Sequence, residues 1–151
     1  MDYKTYEELH NEISKIVSEK YKLAAANVIF LEELHSKNFV IYMTQFRDIL
    51  THLSNIYSVD VFARKTYVLE QLERINGHLE RIVIDSYRKI CDIYLYSIRK
   101  SVKWINIRAY EMQIAQRIKQ LRMCDSTLNF EDKCNGFQEL ISYMEEILKK
   151  D

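Results

Sequence analysis

From residue 61 to residue 122, apolar side chains return at alternating steps of four and three. One run is Val68, Leu72, Ile75, Leu79 and Ile82. A second is Val83, Tyr87, Ile90, Tyr94, Ile98, Val102 and Ile105, and a third is Ile107, Tyr110, Ile114, Ile118 and Leu121. Steps of that size line one face of an α-helix, which turns once in 3.6 residues. The chain has no proline and only two glycines, Gly77 and Gly136, so almost nothing stops the helical pattern. The seam drifts between the runs. The segment is therefore either one very long helix over about 61–122 or two helices divided near Gly77 or Trp104, and ordinary helix lengths favour a division.

The flanking segments carry the same period. Thr5-x-x-Glu8 has the form of a capping box, and Tyr6, Leu9, Ile13, Ile16 and Val17 follow at helical spacing. A first helix is expected over roughly 3–22, continued by good helix formers towards Ser36. Ser36-Lys37-Asn38 is the best break. A second helix over about 38–57 is expected to bury Val40, Met43, Phe46, Leu50, Leu53 and Tyr57. Ser58-Val59-Asp60 reads as a turn with Asp60 as a cap, and Asp125-Ser126-Thr127 as a loop. Phe137, Leu140, Ile141, Met144 and Leu148 outline a short last helix. The whole of 1–151 reads as a single all-α domain, an antiparallel helical bundle of four to six helices.

Several classes of function drop out. No apolar run reaches 18 residues, so no membrane span is expected. The N-terminal residues lack the basic and apolar regions of a secretory leader. Cys91, Cys124 and Cys134 are odd in number and lack metal-ligand spacing, which reads as reduced thiols of a cytoplasmic protein. No glycine-rich phosphate loop exists, so nucleotide hydrolysis of the P-loop kind is excluded. His10, His35 and His78 lack the companion ligands a zinc site needs. No metal or other cofactor is expected.

The residues that carry chemistry are Arg47-Asp48-x-x-x-His52. A guanidinium that holds negative charge and an imidazole that moves a proton are a minimal kit for phosphate chemistry. Positions five apart differ by about 140° around a helix axis, so the two side chains meet only on a ligand lying across the helix. The same residues also suit a plainer arrangement, with Arg47 paired to a carboxylate and His52 packed between helices.

The motif resembles the Arg-(Asn/Asp/His)-x-x-x-His signature of the HEPN superfamily, all-α proteins that include many metal-independent ribonucleases. The resemblance implies a homodimer in which two such motifs meet in one composite site. His52 would act as general acid/base for attack of an RNA 2′-hydroxyl on the adjacent phosphate, Arg47 would stabilise the charge of the phosphorane, and Asp48 would orient the pair. Glu33-x-x-x-Lys37 is similar to an auxiliary pattern of that family, with Lys37 available to RNA phosphates. The implied activity is that of an endoribonuclease of toxin or defence-effector type. A HEPN-like subunit without catalysis, serving as an antitoxin or scaffold, is a further reading.

The net charge is zero, yet residues 88–122 hold nine basic and two acidic side chains, while 123–151 hold three basic and seven acidic. Arg88, Lys89, Arg99, Lys100, Lys103 and Arg108 are interleaved with aromatic residues that include Trp104. Cations for phosphates and rings for stacking suit single-stranded nucleic acid. The alternative function is thus a non-enzymatic helical module that binds a nucleic-acid or protein partner through this stretch. An acidic segment of a second copy would fit it too.

Overall fold

The computed structural model describes residues 3–35, 40–101, 104–122 and 128–150. The breaks expected at 36–38 and 125–127 fall outside the described residues, as do Cys124 and the side chains of residues 104–106. Every element among the described residues is helical, and the protein is all-α. The helices gather into two compact units, residues 1–83 and 84–151, with the division falling inside one long helix. Among the described residues no helix is long and apolar enough to cross a membrane.

The first unit opens with α1 (Tyr6–Ile16), which passes through a single π-helical turn (Val17–Tyr21) into α2 (Lys22–His35). Its start is the capping box read from the sequence. The Thr5 hydroxyl accepts from the Glu8 backbone N–H at 3.2 Å, and the Glu8 carboxylate accepts from the Thr5 N–H. Next come α3 (Val40–Tyr57) and α4 (Lys65–Ser101). Between them Asp60 Oδ1 accepts from the N–H groups of Phe62 and Ala63, so Asp60 caps the turn as expected.

Contacts fix the directions of these helices. Tyr3 Oη donates to Val61 O at 2.5 Å, and Lys20 Nζ donates to Asn76 Oδ1 at 2.6 Å and Glu80 Oε1 at 2.5 Å. Partner numbers rise together, so the first rod runs parallel to α4. From α3 to α4 the pairs are Gln45 with His78 and His52 with Gln71, falling as the other rises, so these helices are antiparallel. The predicted stripe of α4 forms the core here, with Val68, Leu72, Ile75, Leu79 and Ile82 all buried.

On α3 the expected face is corrected. Tyr42, Ile49 and Ile56 are buried, whereas Val40, Met43, Leu50 and Tyr57 are exposed, and Phe46 and Leu53 lie half-buried. The helix carries two apolar stripes at seven-residue spacing, one residue out of phase, hence about 100° apart. Periodicity alone does not choose between them.

The second unit holds the C-terminal part of α4, then α5 (Trp104–Arg122) and α6 (Phe130–Lys150). Within 61–122 the described residues thus hold two helices, α4 ending at Ser101 and α5 beginning at Trp104, and α4 continues unbroken through Gly77. Arg99 on α4 pairs with Glu111 on α5, Gln113 and Arg117 meet Tyr143 and Glu139 on α6, and Tyr87 and Tyr94 meet Gln138 and Glu145. Those pairings make α5 antiparallel to both neighbours and α6 parallel to α4, an up-down-up arrangement. Helix α6 is longer than expected because Asn129 and Asp132 cap it reciprocally: Asp132 N–H donates to Asn129 Oδ1 at 2.8 Å and Asn129 N–H to Asp132 Oδ2 at 3.4 Å. Where α5 and α6 cross, a Cβ on Gly136 would stand 2.5 Å from Leu121 Cδ2, so any larger residue there would require the Leu121 side chain to shift.

Candidate functional site

The chemistry of the first unit collects where α3 crosses α4. Gln45 and His52 stand seven apart on α3; Gln71 and His78 stand seven apart on α4. Because the helices are antiparallel, each histidine meets the other helix's glutamine. His52 Nδ1 lies 2.8 Å from Gln71 Oε1, and His78 Nδ1 lies 2.7 Å from Gln45 Oε1. The two imidazoles stack between these bonds, with centroids 5.3 Å apart and planes inclined by 27°.

This cross-tie fixes the tautomers. Gln71 is only 4% exposed, and its Oε1 also accepts from Asn55 Nδ2 at 3.3 Å. A carbonyl oxygen can bind an imidazole only through N–H, so His52 carries its proton on Nδ1, and the same holds for His78 against Gln45 Oε1. In the neutral form of each ring Nε2 then keeps the lone pair. Among the described residues neither Nε2 has a protein hydrogen-bond partner.

The surroundings bias His78 towards the neutral form. Its pKa is lowered from 6.5, first by burial and then by the nearby His52, with Arg81 and Arg74 pushing the same way and the Asp48 carboxylate opposing them. Arg74, His78 and Arg81 occupy one face of α4 at i, i+4 and i+7, and both arginines are exposed. Gly77 lies beside them, where an added Cβ would meet nothing within 4 Å.

No protein-family model, curated protein or solved structure matches this chain.

Of the motif residues, Asp48 and His52 share a helix face at i, i+4, and both act on His78. Arg47 is placed elsewhere. Its side chain is 74% exposed, on the uncovered face with Met43 and Leu50, and Nη2 reaches Asp48 Oδ1 at 3.5 Å. Within one chain Arg47 and His52 are therefore not brought into contact, and the plainer arrangement of a carboxylate-paired Arg47 and an interhelical His52 is present. The residues missed in the sequence are His78, Gln45 and Gln71. The repeated Gln-x6-His spacing was the signal for them, and it acquires meaning only once α3 and α4 are known to be antiparallel. Among the described residues no three His, Cys, Asp or Glu side chains gather to hold a metal ion.

The basic stretch is partly committed to this chain's own carboxylates. Arg88 lies 3.7 Å from Asp92, Arg99 pairs with Glu111, and Arg117 Nη2 donates to Glu139 at 2.8 Å. Lys100 Nζ sits 4.5 Å above the Tyr96 ring. Lys89 and Arg108 are exposed. Lys37 and Lys103 lie outside the described residues, as does the Trp104 side chain.

Proposed function

We propose that the protein is a HEPN-like, metal-independent endoribonuclease of toxin or defence-effector type that acts as a homodimer through α3. The observation that supports this reading best is His52. One ring nitrogen is tied to a buried amide, and the other keeps its lone pair, which is the state a general base needs. In the reaction, Nε2 takes the proton of an RNA 2′-hydroxyl as O2′ attacks the adjacent phosphorus. The guanidinium of Arg47 offers a planar fork to the phosphorane oxygens, and Asp48 holds it. Arg47 stands on the face that exposes Met43, Leu50 and Tyr57. A second copy docking on that stripe would desolvate the guanidinium and place it in a composite cleft.

The test is cleavage of single-stranded RNA by the purified protein and its His52→Ala variant. The expected result is RNA ending in 2′,3′-cyclic phosphate from the parent and none from the variant, with helical circular dichroism preserved in both. A variant that cuts as fast as the parent ends the proposal. Binding through residues 88–122 without catalysis has less support, because three of its arginines already face carboxylates of the same chain.

A further inference from the structure

We infer that His78 is a second catalytic imidazole of this site, so that one chain supplies both the base and the acid for cleaving an RNA phosphodiester. The inference rests on the ribonuclease reading above and adds to it a residue outside the Arg47-Asp48-x-x-x-His52 motif.

Three observations on α3 and α4 carry it. First, the imidazoles lie side by side at 5.3 Å, each with Nδ1 anchored and Nε2 unengaged. The attacking and leaving oxygens of a phosphoryl group in transfer lie roughly in line. Two adjacent rings can therefore each reach one of them. Second, His78 is only half-buried, and its neighbour Gly77 is exposed and carries no side chain. Third, Arg74 and Arg81 flank His78 on the same exposed face and, among the described residues, neither has an ion-pair partner. Two free cations a turn to either side of an imidazole suit the neighbouring phosphates of one RNA strand.

The roles follow from the surroundings. The groups facing His78 are His52 and Asp48 from α3 and Arg74 and Arg81 from its own helix, and burial with three of these four disfavours a proton on it. Neutral His78 is the base. Its Nε2 takes the 2′-hydroxyl proton while O2′ bonds to phosphorus; the P–O5′ bond breaks, and O5′ leaves with the Nε2 proton of His52, which enters this step as the imidazolium with its Nδ1–H still on Gln71 Oε1. The products are a 2′,3′-cyclic phosphate and a 5′-hydroxyl, and exchange with water returns both imidazoles to their starting states. His78 thus takes over the base role that His52 would fill if it acted alone, and His52 keeps only the delivery of a proton to O5′.

The experiment measures cleavage of a defined oligoribonucleotide across pH by the parent, His78→Ala and His78→Gln, with folding followed by circular dichroism. The glutamine variant keeps an amide N–H for Gln45 and so covers the case in which the alanine variant does not fold. The expected parent profile is a bell. Both variants should lose about 10²–10⁴-fold in rate together with the acidic limb of the bell, and free imidazole should restore part of the rate to His78→Ala. A folded variant that keeps the bell and a rate within a few-fold of the parent overturns the role of His78 and leaves the ribonuclease reading standing. A parent that cuts no RNA overturns both.

Discussion

The assignment of faces on α3 makes a sharp prediction from two adjacent residues. Ile49 is 5% exposed and Leu50 is 66% exposed. Ile49 packs in the core of the first unit, so Ile49→Ala removes three buried carbon groups and leaves a cavity that the α4 stripe can only partly fill. Such a change costs about 2–5 kcal/mol. For a chain of this length each kcal/mol lowers Tm by roughly 2–4 °C, so the loss should be roughly 4–20 °C. Leu50→Ala deletes a similar volume from solvent and replaces one good helix former with a better one, so the isolated chain should change by less than about 0.5 kcal/mol. Because the proposed dimer covers Leu50, its variant should instead remove the dependence of Tm on protein concentration. Thermal unfolding followed by circular dichroism at several concentrations reads both effects. Equal and concentration-independent losses for the two variants would refute the assignment of the buried stripe to Tyr42, Ile49 and Ile56.

Three further outcomes follow from the same geometry. Gly77 sits mid-helix with open space where a side chain would be, so Gly77→Ala should stabilise the protein by about 0.5–1 kcal/mol, read in urea unfolding. His78 has its folded pKa below the ordinary 6.5, so the unfolded chain binds its proton more tightly; the stability this neutral imidazole contributes is full above 6.5 and falls as pH drops below it, a slope that His78→Gln should flatten. The Cys91 thiol is buried and pushed up to about 12, first by burial and then by Asp92, so thiol reagents should modify Cys91 only after unfolding, as mass spectrometry of labelled peptides will show.

Much of the architecture was legible in the sequence because helical period, capping boxes and the lack of proline all agree. The stripe from Val68 to Ile82, the Thr5–Glu8 box and the Asp60 cap stand where residue chemistry puts them. What was not legible depended on choices made between helices. Helix α3 is apolar on two faces, and only packing decides that Ile49 goes in and Leu50 stays out. The site shows the same limit. Arg47 and His52 form a local pattern that a sequence displays directly, but His78 joins His52 only through an antiparallel crossing that brings positions 26 residues apart together. A histidine read alone on α4 looked inert; the same residue opposite Gln45 has a fixed tautomer and a stacked partner.

The central claim is that two imidazoles are cross-tied by the glutamines of the opposite helices, with Nε2 atoms that no described residue engages. Long-range 1H–15N correlation spectra of the histidine rings test this directly at a pH where both are neutral. The expected spectrum shows His52 and His78 both protonated on Nδ1, with Gln71→Leu shifting the His52 ring and Gln45→Leu the His78 ring towards a tautomer mixture. An Nε2–H tautomer on either ring in the parent, or rings indifferent to both glutamine substitutions, would contradict the account.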